Sequence, residues 1–292
     1  MKALCIHAHF DDFEFVAGGT FLKWHQKLGG DFHGKLIVCT DGEAGHHSLT
    51  RSETGEVRLA EQQRSAELGG YDFEMLRLPD GRIPREGCLD SGAATLASLW
   101  RCIREFEPDY LFAPPLPVDP DAGVHVDHWM VAEAVRKVAY LINVPHAFTP
   151  EFPADERRSR PCKVPVILTT YDAYMTGANA CDLVVETEDV FEKVADLTWC
   201  HQSQIVEWLP WVGRHEMSPP ASRKEWAGEL RRRVVRQNRD LGLKSRRATE
   251  VFRVTAWGEI PDASRLIRDF PGLKMSPVNR TKLKRKLENW KP

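Results

Sequence analysis

The sequence predicts an α/β protein, Rossmann-like, with a doubly wound, mostly parallel sheet and its active site at the C-terminal edge of the strands. Three observations lead there. Short apolar runs rich in β-formers alternate with helical patterns from the start of the chain to residue 142. The segments after those runs hold most of the Gly, Asp and His of this half, and in an open α/β sheet such segments share the carboxyl edge, where ligands bind. Finally, 292 residues with 42% apolar composition can bury a substantial core.

Each element has its own warrant. Residues 3–8 read as a short apolar strand and 15–28 as an amphipathic helix, so His9, Asp11 and Asp12 fall in the turn between them. Either aspartate could serve a metal or simply cap the helix. Strand–helix pairs follow at 35–40 and 56–68, 73–78 and 88–106, and 109–113 and 129–142. Just before the last of these helices stands His125-Val126-Asp127-His128. Two His and one carboxylate, with the remaining positions left to water, suit catalytic zinc. Read singly, Asp127 is also a candidate N-cap and His125 a solvated loop residue. Residues 144–165 shift to proline and mixed charge and read as an exposed connection, an insertion or lid candidate. Further strands are expected at 165–172 and 182–187, a helix at 189–209 and a proline-bounded break at 210–220. A basic helix at 222–241, a final strand at 250–257 and a tail over 261–292 complete the chain. The division expected is a core over 1–210 and a basic helical and strand extension over 211–292, packed on the core as one domain.

Composition narrows the class. No run of about 18 apolar residues exists to cross a membrane, and no basic-apolar leader opens the chain. Seven cysteines without C-x-x-C spacing argue for reduced thiols and a cytoplasmic protein, against a disulfide framework or a cysteine-built zinc site. The net charge is −2, yet residues 223–247 hold ten Lys and Arg against three acids, and 274–291 hold seven against one. A solvated face is the preferred reading of both stretches, so nucleic acid is not the expected partner; a homo-oligomer is left open.

Several motifs together resemble the LmbE/PIG-L family of zinc-dependent N-acetylglucosaminide deacetylases. Ala8-His9-Phe10-Asp11-Asp12-Phe13-Glu14-Phe15-Val16-Ala17-Gly18-Gly19 resembles the family's opening A-H-P-D-D-E-x-x-x-G-G. Thr40-Asp41-Gly42-Glu43-Ala44-Gly45 resembles its second loop, Arg58-Leu59-Ala60-Glu61 its R-x-x-E helix, Leu78-Pro79-Asp80-Gly81 its third loop and His125-Val126-Asp127-His128 its H-P-D-H. Lys193 and His201-Gln202-Ser203-Gln204 match a later helix. Phe10 and Val126 stand where the family has proline, which should alter loop stiffness rather than ligands. Phe13 reads as a replacement of the acidic residue after the Asp pair, an apolar ring beside the site.

The resemblance implies roles. His9, Asp12 and His128 would be the ligands of Zn2+, Asp11 the general base, and His125 the group that stabilises the oxyanion or protonates the leaving amine. Asp127 would accept a hydrogen bond from His125 and keep it cationic. Glu43, Arg58 and Asp80 would contact sugar hydroxyls, with an Arg58–Asp80 ion pair as the structural alternative. The implied substrate is a small N-acetylated sugar or sugar conjugate. Two other classes share part of the pattern. An iron(II) oxygenase uses a similar triad but belongs with all-β folds, and no glycine-rich phosphate loop supports a nucleotide-binding module. A third alternative is a member of the same fold that keeps the metal but lacks turnover, serving as a carbohydrate-binding or interaction protein.

Overall fold

A computed structural model describes residues 1–175, 179–213 and 217–291. The first strand, β1 (Lys2–His7), pairs in parallel with β2 (His33–Val38) on one side and β4 (Tyr110–Ala113) on the other. β3 (Asp72–Met75) extends the sheet beyond β2, and β5 (Val166–Thr169) beyond β4, all parallel. The full order is β3-β2-β1-β4-β5-β7-β6, where β6 is Leu183–Glu186 and β7 is Thr249–Val254. β7 runs antiparallel to both of its neighbours. The strand order reverses between β1 and β4, and the crevice at their carboxyl ends is where such sheets bind ligands.

Alternation along β1 shows why both faces are covered. Ala3 and Cys5 join a core with Phe21, Trp24, Phe112 and Phe252, whereas Leu4 and Ile6 join a second core with Leu99, Trp100, Val131 and Val135. On the first face lie α1 (Asp12–Val16) and α2 (Gly18–Leu28); on the second, α4 (Ala93–Phe106) and α5 (Val126–Ala139). α3 (Arg51–Gly69) starts at a capping box in which Thr50 accepts from the Glu53 N–H and Glu53 reaches back to Thr50.

The structure revises four expectations. The single helix expected over 15–28 is two, broken at Ala17 (φ −145°). The helix expected over 189–209 is α6 (Phe191–Trp199), then a π-helical stretch (Ser203–Trp208), then α7 (Leu209–Val212). Of the expected break over 210–220, residues 214–216 lie outside the described residues. The lid candidate at 144–165 packs against α4 instead: Arg104 donates to Ser159 Oγ (3.0 Å), and Phe148 meets Trp100. The expected tail folds as α9 (Ala263–Asp269) and α10 (Pro277–Glu288), which bury Leu266, Leu283 and Leu287 in the first core.

Beyond residue 210 the chain is woven into the sheet through β7. From that strand Glu250 accepts N–H bonds from Gly19 (2.6 Å) and Thr20 (2.7 Å) at the start of α2, where a carboxylate also meets the positive helix end. α8 (Arg223–Asp240) carries much of the basic charge but buries Trp226 and Leu230, and it pairs Arg223 with Asp196 and Arg231 with Glu188. All seven cysteines are unpaired thiols. Among the described residues no helix is long and apolar enough to cross a membrane.

Candidate metal centre at the strand switch point

β1 ends at His7, and the next five residues build most of the site. Asp11 adopts a left-handed conformation (φ 87°), rare and costly for a residue with a Cβ. Three contacts hold it there. Its N–H donates to Gln62 Oε1 (3.2 Å), its O accepts from the Glu14 N–H (3.1 Å), and Arg58 donates to Phe10 O and approaches Asp11 Oδ1 (3.4 Å). Neither Asp11 nor His125, each at the N-cap position of its helix, makes a side-chain capping bond. The capping alternative is therefore not what these loops use.

Three donor atoms converge. His9 Nδ1 lies 3.2 Å from His128 Nε2 and 3.4 Å from Asp12 Oδ2, and Asp12 Oδ2 lies 3.3 Å from His128 Nε2. Tetrahedral zinc ligands at about 2.0 to 2.1 Å from the ion would stand about 3.3 to 3.4 Å apart. The triangle fits that edge length as it stands. Two looser sets overlap it, His9–His125–His128 and His7–Asp12–His128, with donor atoms within 4.8 Å of one another.

Each imidazole is oriented from its far side. Asp172 Oδ2 accepts from His128 Nδ1 (2.7 Å), and Asp127 Oδ2 accepts from His9 Nε2 (3.0 Å). Such carboxylates fix the tautomer and leave the near nitrogen free to ligate. Asp127 also accepts the N–H groups of Gly87 (2.7 Å) and Leu89 (3.2 Å), which turns it inward. It therefore serves His9, not His125 as expected, because α5 aims it at the 86–89 loop. His7 Nδ1 contacts Asp12 Oδ2 at 2.6 Å.

The electrostatics follow from this crowding. Burial works against charge on His9 and His128, but Asp12 outweighs it, with Asp127 and Asp172 adding, and the two rings rise to about 9 and about 10. Burial also opposes ionisation of Asp12, yet His128 and His7 hold it well below the usual carboxylate range. An anionic cluster that draws protons onto two imidazoles is one that a divalent cation would suit in their place. Asp11 differs: burial raises its pKa, with Arg58 opposing. His125 falls to about 4 through burial and the neighbouring His9 and His128, so it is neutral at pH 7 rather than the expected cation. Its Nδ1 is buried with no partner among the described residues.

The remaining expected residues disperse. Glu43 sits on the rim, 3.2 Å from Arg51. Arg58 is buried against the Asp11 turn. Asp80 is exposed and pairs with Arg82 (2.7 Å), so no Arg58–Asp80 ion pair forms. Phe13 is fully buried away from the donor atoms, with its ring 4.9 Å from Phe21 and 4.6 Å from Tyr71. Counted back from Gly18-Gly19, Glu14 takes the acidic position of the opening motif, and the chain has one extra residue there. Glu14 itself accepts from Gln62 (2.8 Å), Ser65 (2.6 Å) and Tyr71 (2.6 Å) in a buried network beside His201. Phe10 does not loosen its loop: the ring packs on Phe73 and fills the space where a Cβ at Gly42 (φ +67°) would come within 2.3 Å. Val126 occupies the first turn of α5, a position that favours proline.

Sequence reasoning passed over His7, Glu86, Asp172 and Tyr174. Glu86 Oε1 lies 4.0 Å from His9 Nε2, and the Tyr174 ring lies 5.9 and 5.8 Å from those of His125 and His128. Asp172 had one available signal, a carboxylate just past a predicted strand at the same edge. Arg233 of α8 is another arrival, stacked over Trp226 (5.4 Å) and Phe15 (5.8 Å) and close enough to Tyr174 and Asp11 to feel their charge.

Fold and site together define a Rossmann-like protein with a histidine–carboxylate cluster at its switch point that could hold a metal ion. Residues 4–139 match the family model PIG-L, described as GlcNAc-PI de-N-acetylase. No curated protein matches the sequence. Solved structures share the fold. N,N'-diacetylchitobiose deacetylase from Pyrococcus horikoshii is 22% identical, with a TM-score of 0.66 over 87% of this chain and 83% of that one. GalB, the 4-carboxy-2-hydroxymuconate hydratase of Pseudomonas putida KT2440, is 18% identical, with a TM-score of 0.58 over 87% and 98%. A deacetylase of the teicoplanin biosynthetic pathway is 15% identical, with a TM-score of 0.55 over 86% and 96%.

Proposed function

We propose that this protein is a zinc-dependent amide hydrolase that removes the acetyl group from an N-acetylglucosamine-type sugar or sugar conjugate. The observation that carries the reading is the triangle of His9 Nδ1, Asp12 Oδ2 and His128 Nε2, with edges of 3.2 to 3.4 Å, inside the segment that matches the PIG-L family model. These three atoms would hold the ion. When bound, zinc polarises a carbonyl and lowers the pKa of its water to about 7.

The chain's own residues supply the rest. Asp11, one residue from a ligand and raised in pKa by burial, takes the proton of the attacking water and passes it to the leaving nitrogen. Arg58, 3.4 Å from Asp11 Oδ1, opposes that rise and favours the charged carboxylate. His125, neutral and with a ring nitrogen unengaged, donates its N–H to the carbonyl oxygen as negative charge develops. Asp127 and Asp172 act through His9 and His128. Glu43 remains the proposed sugar contact of the rim; Arg58 is reassigned to holding Asp11, and the exposed position of Asp80 gives it at most an outer contact.

A hydratase shares this fold, so the fold alone does not choose the reaction. The family match favours the amide. The test is metal analysis of the purified protein followed by amine release from a panel of N-acetylated sugars and conjugates. Stoichiometric zinc with acetate and amine formed in equal amounts is expected. Metal-loaded protein that releases no amine from any member of the panel would overturn the reading and favour a binding protein of the same fold.

A further inference from the structure

Most arginines of α8 are spent on carboxylates: Arg223 on Asp196, Arg231 on Glu188, Arg232 on Glu229 and Arg239 on Asp240. Arg233 is not. Its guanidinium lies over the rings of Trp226 (5.4 Å) and Phe15 (5.8 Å), which themselves meet edge to face (6.0 Å). Trp226 is fully buried and donates its Nε1–H to Thr198 Oγ1 (2.8 Å), so this support is fixed. Stacking engages the flat face of a guanidinium and leaves its in-plane N–H groups to find acceptors. Among the described residues those groups make one hydrogen bond, from Nη2 to the weak acceptor Met217 Sδ (3.3 Å). Glu229, its carboxylate neighbour, stands 3.9 Å from Nε and already accepts from Arg232 at 2.5 and 2.9 Å. Burial holds the Arg233 pKa below the usual guanidinium value against the pull of Glu229, Tyr174 and Asp11, as expected of a cation whose charge the fold meets incompletely.

Its place gives this cation a use. Phe15 lies three residues from Asp12 on α1, so the two side chains are neighbours on that helix. Tyr174, which feels the charge of Arg233, has its ring 5.9 and 5.8 Å from those of His125 and His128. Arg233 therefore stands at the mouth of the candidate centre, and its side chain is 35% exposed, where a ligand can reach it. Arg236, one turn further along α8 and exposed, adds a second cation. We infer that Arg233 is a specificity-determining residue that binds an anionic oxygen group, a carboxylate or a phosphate, carried by the substrate next to its N-acetylated sugar. The guanidinium fork matches either group, and a stacked arginine has already given up rotamer freedom that binding would otherwise cost. Arg233 lies outside residues 4–139, so the family match assigns it no role. This rests on the proposed sugar substrate, and the experiment separates the two.

Dissociation constants of the zinc-loaded protein are measured by calorimetry for N-acetylglucosamine, N-acetylglucosamine 1-phosphate and N-acetylmuramic acid. Amine release is followed in parallel, so that binding and turnover are read apart. Wild type should bind one of the acidic sugars about 10- to 100-fold more tightly than the neutral one, and the sugar it prefers names the group. Arg233→Met keeps a stem over Trp226 and Phe15 but no charge; it should remove that preference and leave zinc content and the affinity for the neutral sugar unchanged. Arg233→Lys, with the charge but not the fork, should fall between the two. Wild type without a preference for either acidic sugar would overturn the subsite. So would a preference that survives Arg233→Met, which would put the anion on the metal, or equal losses on all three sugars, which would make Arg233 structural. A preference lost with Arg233 supports the subsite even if no sugar releases amine, in which case the proposed reaction fails alone. Amine released from all three sugars at equal affinity keeps the reaction and discards the subsite.

Discussion

Asp172→Asn is the sharpest test of how the centre is organised, because Asp172 lies outside every motif of the sequence. Its Oδ2 accepts from His128 Nδ1 at 2.7 Å, and its Oδ1 accepts the N–H of Tyr174 at 2.8 Å. Both oxygens are therefore in use, in a residue that is 4% exposed. Asparagine can place its oxygen toward only one donor. If the amide nitrogen faces His128, the ring must present a bare Nδ1 and carry its proton on Nε2, the atom aimed at the metal position. If it faces Tyr174 instead, two N–H donors oppose each other at a cost of about 1 to 3 kcal/mol. Either way zinc affinity should fall about 10- to 100-fold, the usual effect of losing such a partner. Chelator competition measures this, with circular dichroism to verify the fold and His128→Ala as the reference for a lost ligand. The pH dependence gives a second check. His9 and His128 are raised to about 9 and about 10, so at pH 7 an entering ion must displace protons, and affinity should climb as pH rises toward 9. An Asp172→Asn protein that binds zinc within twofold of wild type at pH 7, in which His128→Ala does not bind, would refute the reasoning.

Other expectations follow from the same geometry. Asp11→Asn should leave zinc content and fold unchanged while abolishing turnover; loss of the metal would instead make Asp11 a ligand. His125→Ala should lower kcat about 100- to 1000-fold with KM little changed. Because His125 sits at about 4 and is already neutral, the alkaline limb of the rate profile should stay where it is, and a shifted limb would restore a cationic role. Phe13→Ala should cost about 3 to 5 kcal/mol in urea unfolding, while the folded fraction keeps its KM, since the ring packs in the core. Glu250 stands at about 6, raised by burial against its bonds to Thr20 and Gly19, above the usual 4.5. The native state thus holds that proton more tightly, so its share of stability, about 2 kcal/mol, is complete below about pH 4.5 and lost as pH rises through 6. Denaturant unfolding of Glu250→Gln across this window should lack that decline.

What the sequence alone determined was local. Period-2 and period-3.6 patterns write themselves into consecutive residues, so β1 to β5 and α3 to α5 were legible, and with them the sheet edge that gathers His9, Asp11, Asp12, His125 and His128. Only the tertiary structure decided which groups face one another. Asp172 reaches His128 across 44 positions, and Asp127 turns to His9 rather than to its sequence neighbour His125, because the N–H groups of the 86–89 loop capture its carboxylate. Phe13 reads as a substitution until its ring is seen in the core and Glu14 in the buried network beside it. The extension past residue 210 has an ordinary composition for a basic tail, yet β7 enters the sheet between β5 and β6, since a strand antiparallel to its neighbours needs no crossover signal in the sequence. Motif spacing encodes which residue types arrive at an edge; where each carboxylate points is set by the donors that long-range packing places beside it.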